Sequence, residues 1–401
     1  MFNSFNLFVR PISTEFSFTI AAVSLIATMS AIGGGIFQNL AGRLLNKVSS
    51  RIWFTAVAIG LSLVYLGFSQ ANALWQFYVL GACYGVLAGL GIFITAQLII
   101  PNWFAYSATY LGIAVGCSGV GAVIGAPIIN FIINSQGYSL GFLLSAGVAF
   151  AILVPLGLFV LKSHPSELGV KAYQSEKLEA EKAAKAAETS QQGESKDFNG
   201  YSEAQARKLP QWWLFWPAVM LIPMVSAVFI HVPGALEDKG LTVAYVGTVV
   251  SFYQFGVMLG QMSFGWFSER LGVTAVSVIW PVLTIASCLG LAFLNQPIVW
   301  LLALLVFVLG FLRAQGAVGI PVLVKHLFGM RDYGKILSAY YTVFLFAAAV
   351  YVTFVGWIKD VTGSYNTVFL IIAGVGAALL IVLMAVLALG RRQEAKRLSG
   401  K

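Results

Sequence analysis

Arg313 is the one charged side chain deep inside an apolar run, the stretch 298–323. It sits on the order of 3 Å from the middle of that run at about 1.5 Å per helical residue. A guanidinium at mid-bilayer costs about 2.5 kcal/mol or more, so such a residue usually faces a cavity or a partner. Its planar fork of donors matches a carboxylate bidentately. Gly310, Gly316 and Ala317, on the same helical face, are small and leave room. The pattern predicts an anchor for an anion. The alternative is a structural arginine, capped by helix carbonyls or snorkelling toward the cytoplasm.

The uncharged candidates are weaker. Gln254 and Gln261 are seven apart, so they share a helix face and suit either a substrate or interhelical hydrogen bonding. Tyr84, Tyr340 and Tyr341 suit ligand contact or packing. His231 lies near the outer end of an apolar run, and its near-neutral unperturbed pKa makes it the candidate for proton coupling, against a satisfied helix-end histidine. No acidic residue lies inside an apolar run, so no relay built on a buried carboxylate is visible. HExxH, GxSxG and Walker patterns are absent. Cys83, Cys117 and Cys288 lack metal-ligand spacing and read as free core thiols. The expectation is no enzyme, no metal and no cofactor.

The elements that must position these residues follow from composition. Hydrophobic residues make up 59% of the 401 and charged residues 10%, against about 25% charged in a soluble domain. The 41 glycines and 14% aromatics fit helices packed in lipid. A soluble enzyme, a nucleic-acid-binding domain and a disordered chain are excluded. Runs long enough to cross a bilayer, about 20 residues each, occur near 18–42, 52–70, 75–100, 109–134 and 138–161. A second set follows near 211–235, 243–267, 273–294, 298–323, 336–358 and 365–390. Between the sets lies a polar linker, 162–210, with helix-forming composition around Glu176–Glu188. Of 24 lysines and arginines, all but Arg10, Lys239, Lys359 and Arg313 fall on one side of this topology. By the positive-inside rule, linker and C-terminus are cytoplasmic. The basic excess is therefore topology, not nucleic-acid affinity. Residues 1–17 contain Arg10, Pro11 and Glu15 and do not read as a cleavable signal peptide.

The chain also repeats itself. Gly42 to Arg51 matches Gly265 to Gly272 at an offset of 223, and Gly85 through Trp103-Phe104 matches Leu309 through Leu327-Phe328 at 224. Two anchors at nearly one offset indicate parallel six-helix halves with a site between them at mid-membrane. The offset sets Gly89 opposite Arg313. It also places most of a first helix before Met1, leaving Phe2 to Val9 as its remnant, so a late-assigned start or a truncation is expected. Helices are numbered below as though that first one were complete.

These segments resemble the loop signatures of the major facilitator superfamily. Several stretches are similar to its bacterial branch of oxalate/formate antiporters and monocarboxylate porters. They are Trp103-Phe104 with Gly112, Gly116, Gly119 and Gly121; His164 to Gly169; Tyr201 to Ala204 before Trp212-Trp213; His231 ahead of Leu236 to Gly240; and Phe328 to Gly334. The resemblance implies that helix 10, which carries Arg313, lines the cavity. It also implies a gate built from Gly42, Asn46, Lys47, Arg51, Gly265, Glu269 and Arg270, with charge pairs holding the outward-open state; solvated anchors are the bland alternative. Glycines 112, 116, 119, 121 and 125 of helix 5 imply close packing, or a pliable helix suited to exchange. Three departures stand out. Asn46 replaces the family's aspartate, Ala105 to Thr109 lacks the family's charges, and Gln261 stands where oxalate binders carry arginine, with no lysine in the helix 11 span beyond its edge. The family's substrate is therefore not transferable.

The expectation is an all-α membrane protein of the major facilitator fold with eleven full spans. It divides into an N-terminal half over 1–161, a linker over 162–210, a C-terminal half over 211–390 and a basic tail over 391–401. It resides in the plasma membrane among lipid, as a monomer binding no nucleic acid. It moves a small organic anion, a carboxylate, by exchange or proton coupling. A larger amphipathic carboxylate such as a bile salt, drug efflux, and a non-transporting receptor or inactive truncated fragment are the alternatives.

Overall fold

The computed structural model describes residues 6–44, 49–176, 200–294, 296 and 298–398. Asn46, Lys47 and the helical composition expected after Glu176 lie outside the described residues. Each expected apolar run is met by a helix, because in lipid a backbone must satisfy its own hydrogen bonds. In chain order these are α1 (Asn6–Phe16), α2 (Ile20–Leu44), α3 (Ser50–Gln70), α4 (Leu74–Trp103), α5 (Ser107–Gln136) and α6 (Tyr138–Val160). Then come α7 (Pro210–Ala227, continued after a 44° bend by Val232–Asp238), α8 (Val243–Arg270), α9 (Val273–Phe293), α10 (Val299–Phe328), α11 (Tyr333–Thr362) and α12 (Tyr365–Leu398). By length and composition, seven of the described helices could cross a membrane, and the bent α7 makes an eighth. The remaining long helices, α2, α5 and α8, have 25, 30 and 28 residues. The residues from Arg391 to Arg397 continue α12 as helix.

The chain packs as two compact units, the described parts of Met1–Ile99 with Cys117–Leu168, and of Ile100–Gly116 with Gly169–Lys401. In the first unit α2 packs on α4 and α3 on α6. The second unit repeats these pairings with α8 on α10 and α9 on α12. The duplication in sequence is thus a duplication in packing. The first unit's core is aromatic: Phe8 of α1 stacks on Phe142 of α6 at 4.0 Å, and Phe68 lies 5.0 Å from Phe142. Of the three cysteines only Cys288 is buried; Cys83 and Cys117 are exposed, and all are free thiols.

The units divide at Ile99/Ile100 near the end of α4, at Gly116/Cys117 inside α5 and at Leu168/Gly169 early in the linker. The first turns of α5 pack on α8, where a side chain at Gly112 would meet the Gln261 carbonyl and one at Gly116 would meet Met262. Gly121 and Gly125, further along, meet nothing. The glycine run therefore allows close approach at one end of the helix only. α4 and α10 share a second feature. A π-helical turn interrupts each, at Ala88–Ile92 and at Gln315–Gly319. Such insertions occur often at functional sites, and the repeat sets Gly89 and Arg313 at this level of the two helices.

Candidate functional site

Arg313 follows the turn at Phe311 and Leu312 that separates the first part of α10 from its π-helical segment, and its side chain is exposed. The outer face of α10 is marked by Trp300 and Leu304, 70% and 50% exposed. The guanidinium lies beside the phenol of Tyr253 on α8, close enough for its charge to act on that oxygen. Tyr253 is 1% exposed. Its ring stacks on Phe229 at 3.6 Å and 8°, and Phe229 lies in the bend of α7. Gly310 makes the contact between α8 and α10 possible, since a Cβ there would sit 2.6 Å from the Tyr253 carbonyl oxygen. A buried phenol thus lies beside an exposed guanidinium whose fork carries five N–H donors, enough to engage a carboxylate as well.

The other expected binding residues divide. Gln254, next to Tyr253, is half-buried. Gln261 is 4% exposed, and its Oε1 lacks a hydrogen-bond partner among the described residues. The repeat partner of Gln261 is Gln38 on α2, itself 1% exposed with neither amide atom partnered among the described residues. These two glutamines occupy equivalent buried places and do not share the exposed face of Arg313. Tyr340 is fully buried, donates to the Trp212 carbonyl at 3.0 Å and packs on Phe215 at 4.8 Å. Tyr341 donates to the Gly316 carbonyl at 2.9 Å and so ties α11 to the π-helical turn of α10. Tyr84 belongs to the first unit. It lines a small apolar cavity with Tyr65, Phe8, Phe68 and Phe142. His231 ends the bend of α7, with its ring 6.4 Å from that of Tyr365.

Among the described residues, the expected gating residues have the following partners. Glu269, at the end of α8, accepts from the backbone N–H of Thr109 at 3.0 Å and from the Thr109 hydroxyl. An anion there complements the partial positive charge of the α5 N-terminus. Lys325 of α10 donates to the Ser107 hydroxyl at 2.6 Å, in the same first turn. Gly265 passes directly over the Ala108 carbonyl. Arg270 lies over the ring of Trp266 at 4.1 Å, and Arg51 donates to the Leu158 carbonyl in the first unit. Gly42 falls in the last turn of α2. Among the described residues no group of three or more His, Cys, Asp or Glu is placed to hold a metal ion.

Comparison with known proteins agrees with this architecture. The chain is 24% identical over 369 residues to monocarboxylate transporter 12-B of Danio rerio, covering 88% of this chain and 76% of that protein. It is 23% identical over 280 residues to the membrane sensor protein UhpC of Escherichia coli, covering 67% of this chain and 61% of UhpC. Over 184 residues it is 24% identical to the probable galactarate/D-glucarate transporter GudP of E. coli, covering 43% of this chain and 41% of GudP. The fold superposes on the E. coli fucose:proton symporter FucP with a TM-score of 0.67 at 15% identity, covering 96% and 95% of the two chains. For the proton:xylose symporter XylE the TM-score is 0.70 at 15% identity, covering 95% and 90%. The sequence profile of the Major Facilitator Superfamily matches residues 1–242 and 212–401. This chain, a multi-pass membrane protein, belongs to the Major Facilitator Superfamily.

Proposed function

We propose that the chain is a secondary active transporter of a small organic anion bearing a carboxylate, which it moves by alternating access across the plasma membrane, with linker and C-terminus in the cytoplasm. The observation that carries this reading is the exposed guanidinium of Arg313 beside the buried phenol of Tyr253. A carboxylate suits the remaining donors, and charge-assisted bidentate pairs of this kind are about twice as strong as neutral hydrogen bonds. Gln254 orients the rest of the solute from the neighbouring position on α8. Two relatives carry acid names, a monocarboxylate transporter and a probable galactarate/D-glucarate transporter, which favours carboxylates over neutral sugars. Drug efflux fits less well, since among the described residues no acid lies within the apolar part of any helix to receive a cation.

The test is uptake of labelled mono- and dicarboxylates into proteoliposomes. Uptake by the parent chain that Arg313→Gln abolishes at equal protein abundance supports the reading; unchanged uptake by the variant refutes the anchor role. The similarity to UhpC, a membrane sensor protein, favours a second reading, binding without net transport. Saturable carboxylate binding with no accumulation in vesicles would select it.

A further inference from the structure

Pro321 stands inside the second half of α10, and proline has no backbone N–H. In the π-helical segment Gln315–Gly319 the Ile320 N–H donates to the Gln315 carbonyl, five residues back. One step further in that register, the Gly316 carbonyl faces Pro321 and finds no helical donor. In ordinary α-helical register the Ala317 carbonyl faces the same proline, four residues on. Either way one carbonyl of a helix long and apolar enough to cross a membrane loses its partner within the helix, and lipid offers none.

The next helix supplies the donor. The Tyr341 hydroxyl on α11 donates to the Gly316 carbonyl at 2.9 Å and reaches the Ala317 carbonyl at 3.5 Å. Tyr341 is buried, 6% exposed. Eight residues earlier on α11, the buried Tyr333 donates its hydroxyl to the carbonyl of Pro321 itself at 3.4 Å. Two phenols of one helix thus hold α10 within and just beyond the interruption. Gly316 permits the approach, since a Cβ there would sit 3.0 Å from Phe344 of α11 and 3.4 Å from Ile222 of α7.

Arg313 stands two residues before the π-helical segment. Such a turn holds one extra residue, and one residue is about 100° of helix. The register of the segment therefore sets the direction of Arg313 relative to the rest of α10. Without the phenol, both registers lack a helical donor for one carbonyl, and nothing local prefers either.

We propose that Tyr341 is a positioning residue for Arg313: its hydroxyl stands in for the N–H that Pro321 lacks and holds α10 in the register that aims the guanidinium. Its effect on transport rests on Arg313 being the carboxylate anchor; its effect on α10 does not.

The test uses the full chain with Cys83, Cys117 and Cys288 replaced and spin labels at Arg313→Cys and His326→Cys. Both are exposed positions, and they flank the interruption about 20 Å apart along the helix. Pulsed electron–electron measurement in nanodiscs gives one narrow distance distribution with Tyr341 in place, and Tyr341→Phe broadens it or adds a second population. Tyr138→Phe loses an equally buried phenol bond, to the Ala71 carbonyl at 2.9 Å in the other unit, and leaves the distribution unchanged. In proteoliposomes of unlabelled chains, Tyr341→Phe raises KM for carboxylate uptake roughly tenfold, with the maximal rate less affected. A distribution that stays narrow in Tyr341→Phe overturns the proposal, as does a KM that stays at the parent value. Equal broadening by Tyr138→Phe also overturns it, since the loss of any buried phenol bond would then suffice. A parent chain that takes up no carboxylate sinks the carrier reading instead, and the distance comparison still decides whether Tyr341 holds Arg313.

Discussion

The Arg313 guanidinium and the Tyr253 phenol are electrostatic neighbours on two different helices, the first exposed and the second buried. Since the phenol is the fixed member, it determines which donors of Arg313 stay available. Tyr253→Phe keeps the ring stacked on Phe229 and removes only the acceptor. A hydrogen bond to a charged group is worth about 1.5–3 kcal/mol, so carboxylate affinity falls roughly tenfold or more. The check is a rise in KM for uptake at unchanged protein abundance, with maximal rate affected less. An unaltered KM removes Tyr253 from the site.

Gly310→Val places a branched side chain where a Cβ already sits 2.6 Å from the Tyr253 carbonyl oxygen. Backbone cannot swing aside like a side-chain tip, so α8 and α10 must separate. Overpacking of this kind costs about 1–3 kcal/mol. The thermal midpoint of the purified protein falls, and carboxylate binding weakens with it, because Tyr253 and Arg313 sit on the two helices being forced apart.

Glu269→Gln retains an oxygen near Thr109 but removes the charge at the α5 N-terminus. A carboxylate at a helix N-terminus contributes about 0.3–1 kcal/mol, up to about 2 in partly buried settings. Hydrogen exchange at Thr109 and Tyr110 therefore quickens about two- to thirtyfold, while exchange in the middle of α5 does not change. An equal change along all of α5 would point to a general loss of packing instead.

Asp332 is a group whose ionisation the fold changes outside the membrane-spanning segments. Partial burial raises its pKa, but the hydrogen bonds from the Glu203 N–H and Lys335, with the charges of Lys335 and Arg331, bring it on balance below its ordinary value of 3.8. A depressed carboxylate contributes stability that is present above its unfolded pKa and lost as pH falls through the folded one. The attachment of Glu203 therefore holds at neutral and mildly acidic pH and loosens only below the ordinary carboxylate range. Asp332→Asn loosens it at every pH. Exchange at the Glu203 amide reads both, and a transition near neutral pH contradicts the assignment.

Much of the fold was legible because lipid imposes long apolar runs, and each run produced a helix at nearly the limits its composition set. The repeat was legible as well, through Gly42 with Gly265 and Phe104 with Phe328, and it reappears as matched helix pairings. Arg313 declared itself by its cost in an apolar run. Tyr253 did not, because nothing in spacing links a tyrosine on α8 to an arginine 60 residues later on α10; only the packing at Gly310 joins them. Gln38 carried a signal that applying the 223-residue offset to Gln261 would have found. Tyr340 was chosen by type alone, and packing claims its hydroxyl for the Trp212 carbonyl. The partner of Glu269 was illegible for another reason: a helix N-terminus offers partial charge without any charged residue to mark it.

The central claim is that Arg313 receives a carboxylate, and thermal unfolding of the purified protein against matched solutes tests it most directly. The panel pairs small organic acids with their amides, and adds neutral sugars, for the parent chain, Arg313→Lys and Arg313→Gln. The account predicts that at least one acid raises the midpoint of the parent chain while its amide does not, that Arg313→Lys keeps part of the shift, and that Arg313→Gln loses all of it. An acid that stabilises Arg313→Gln as much as the parent, or stabilisation by neutral sugars alone, would contradict it.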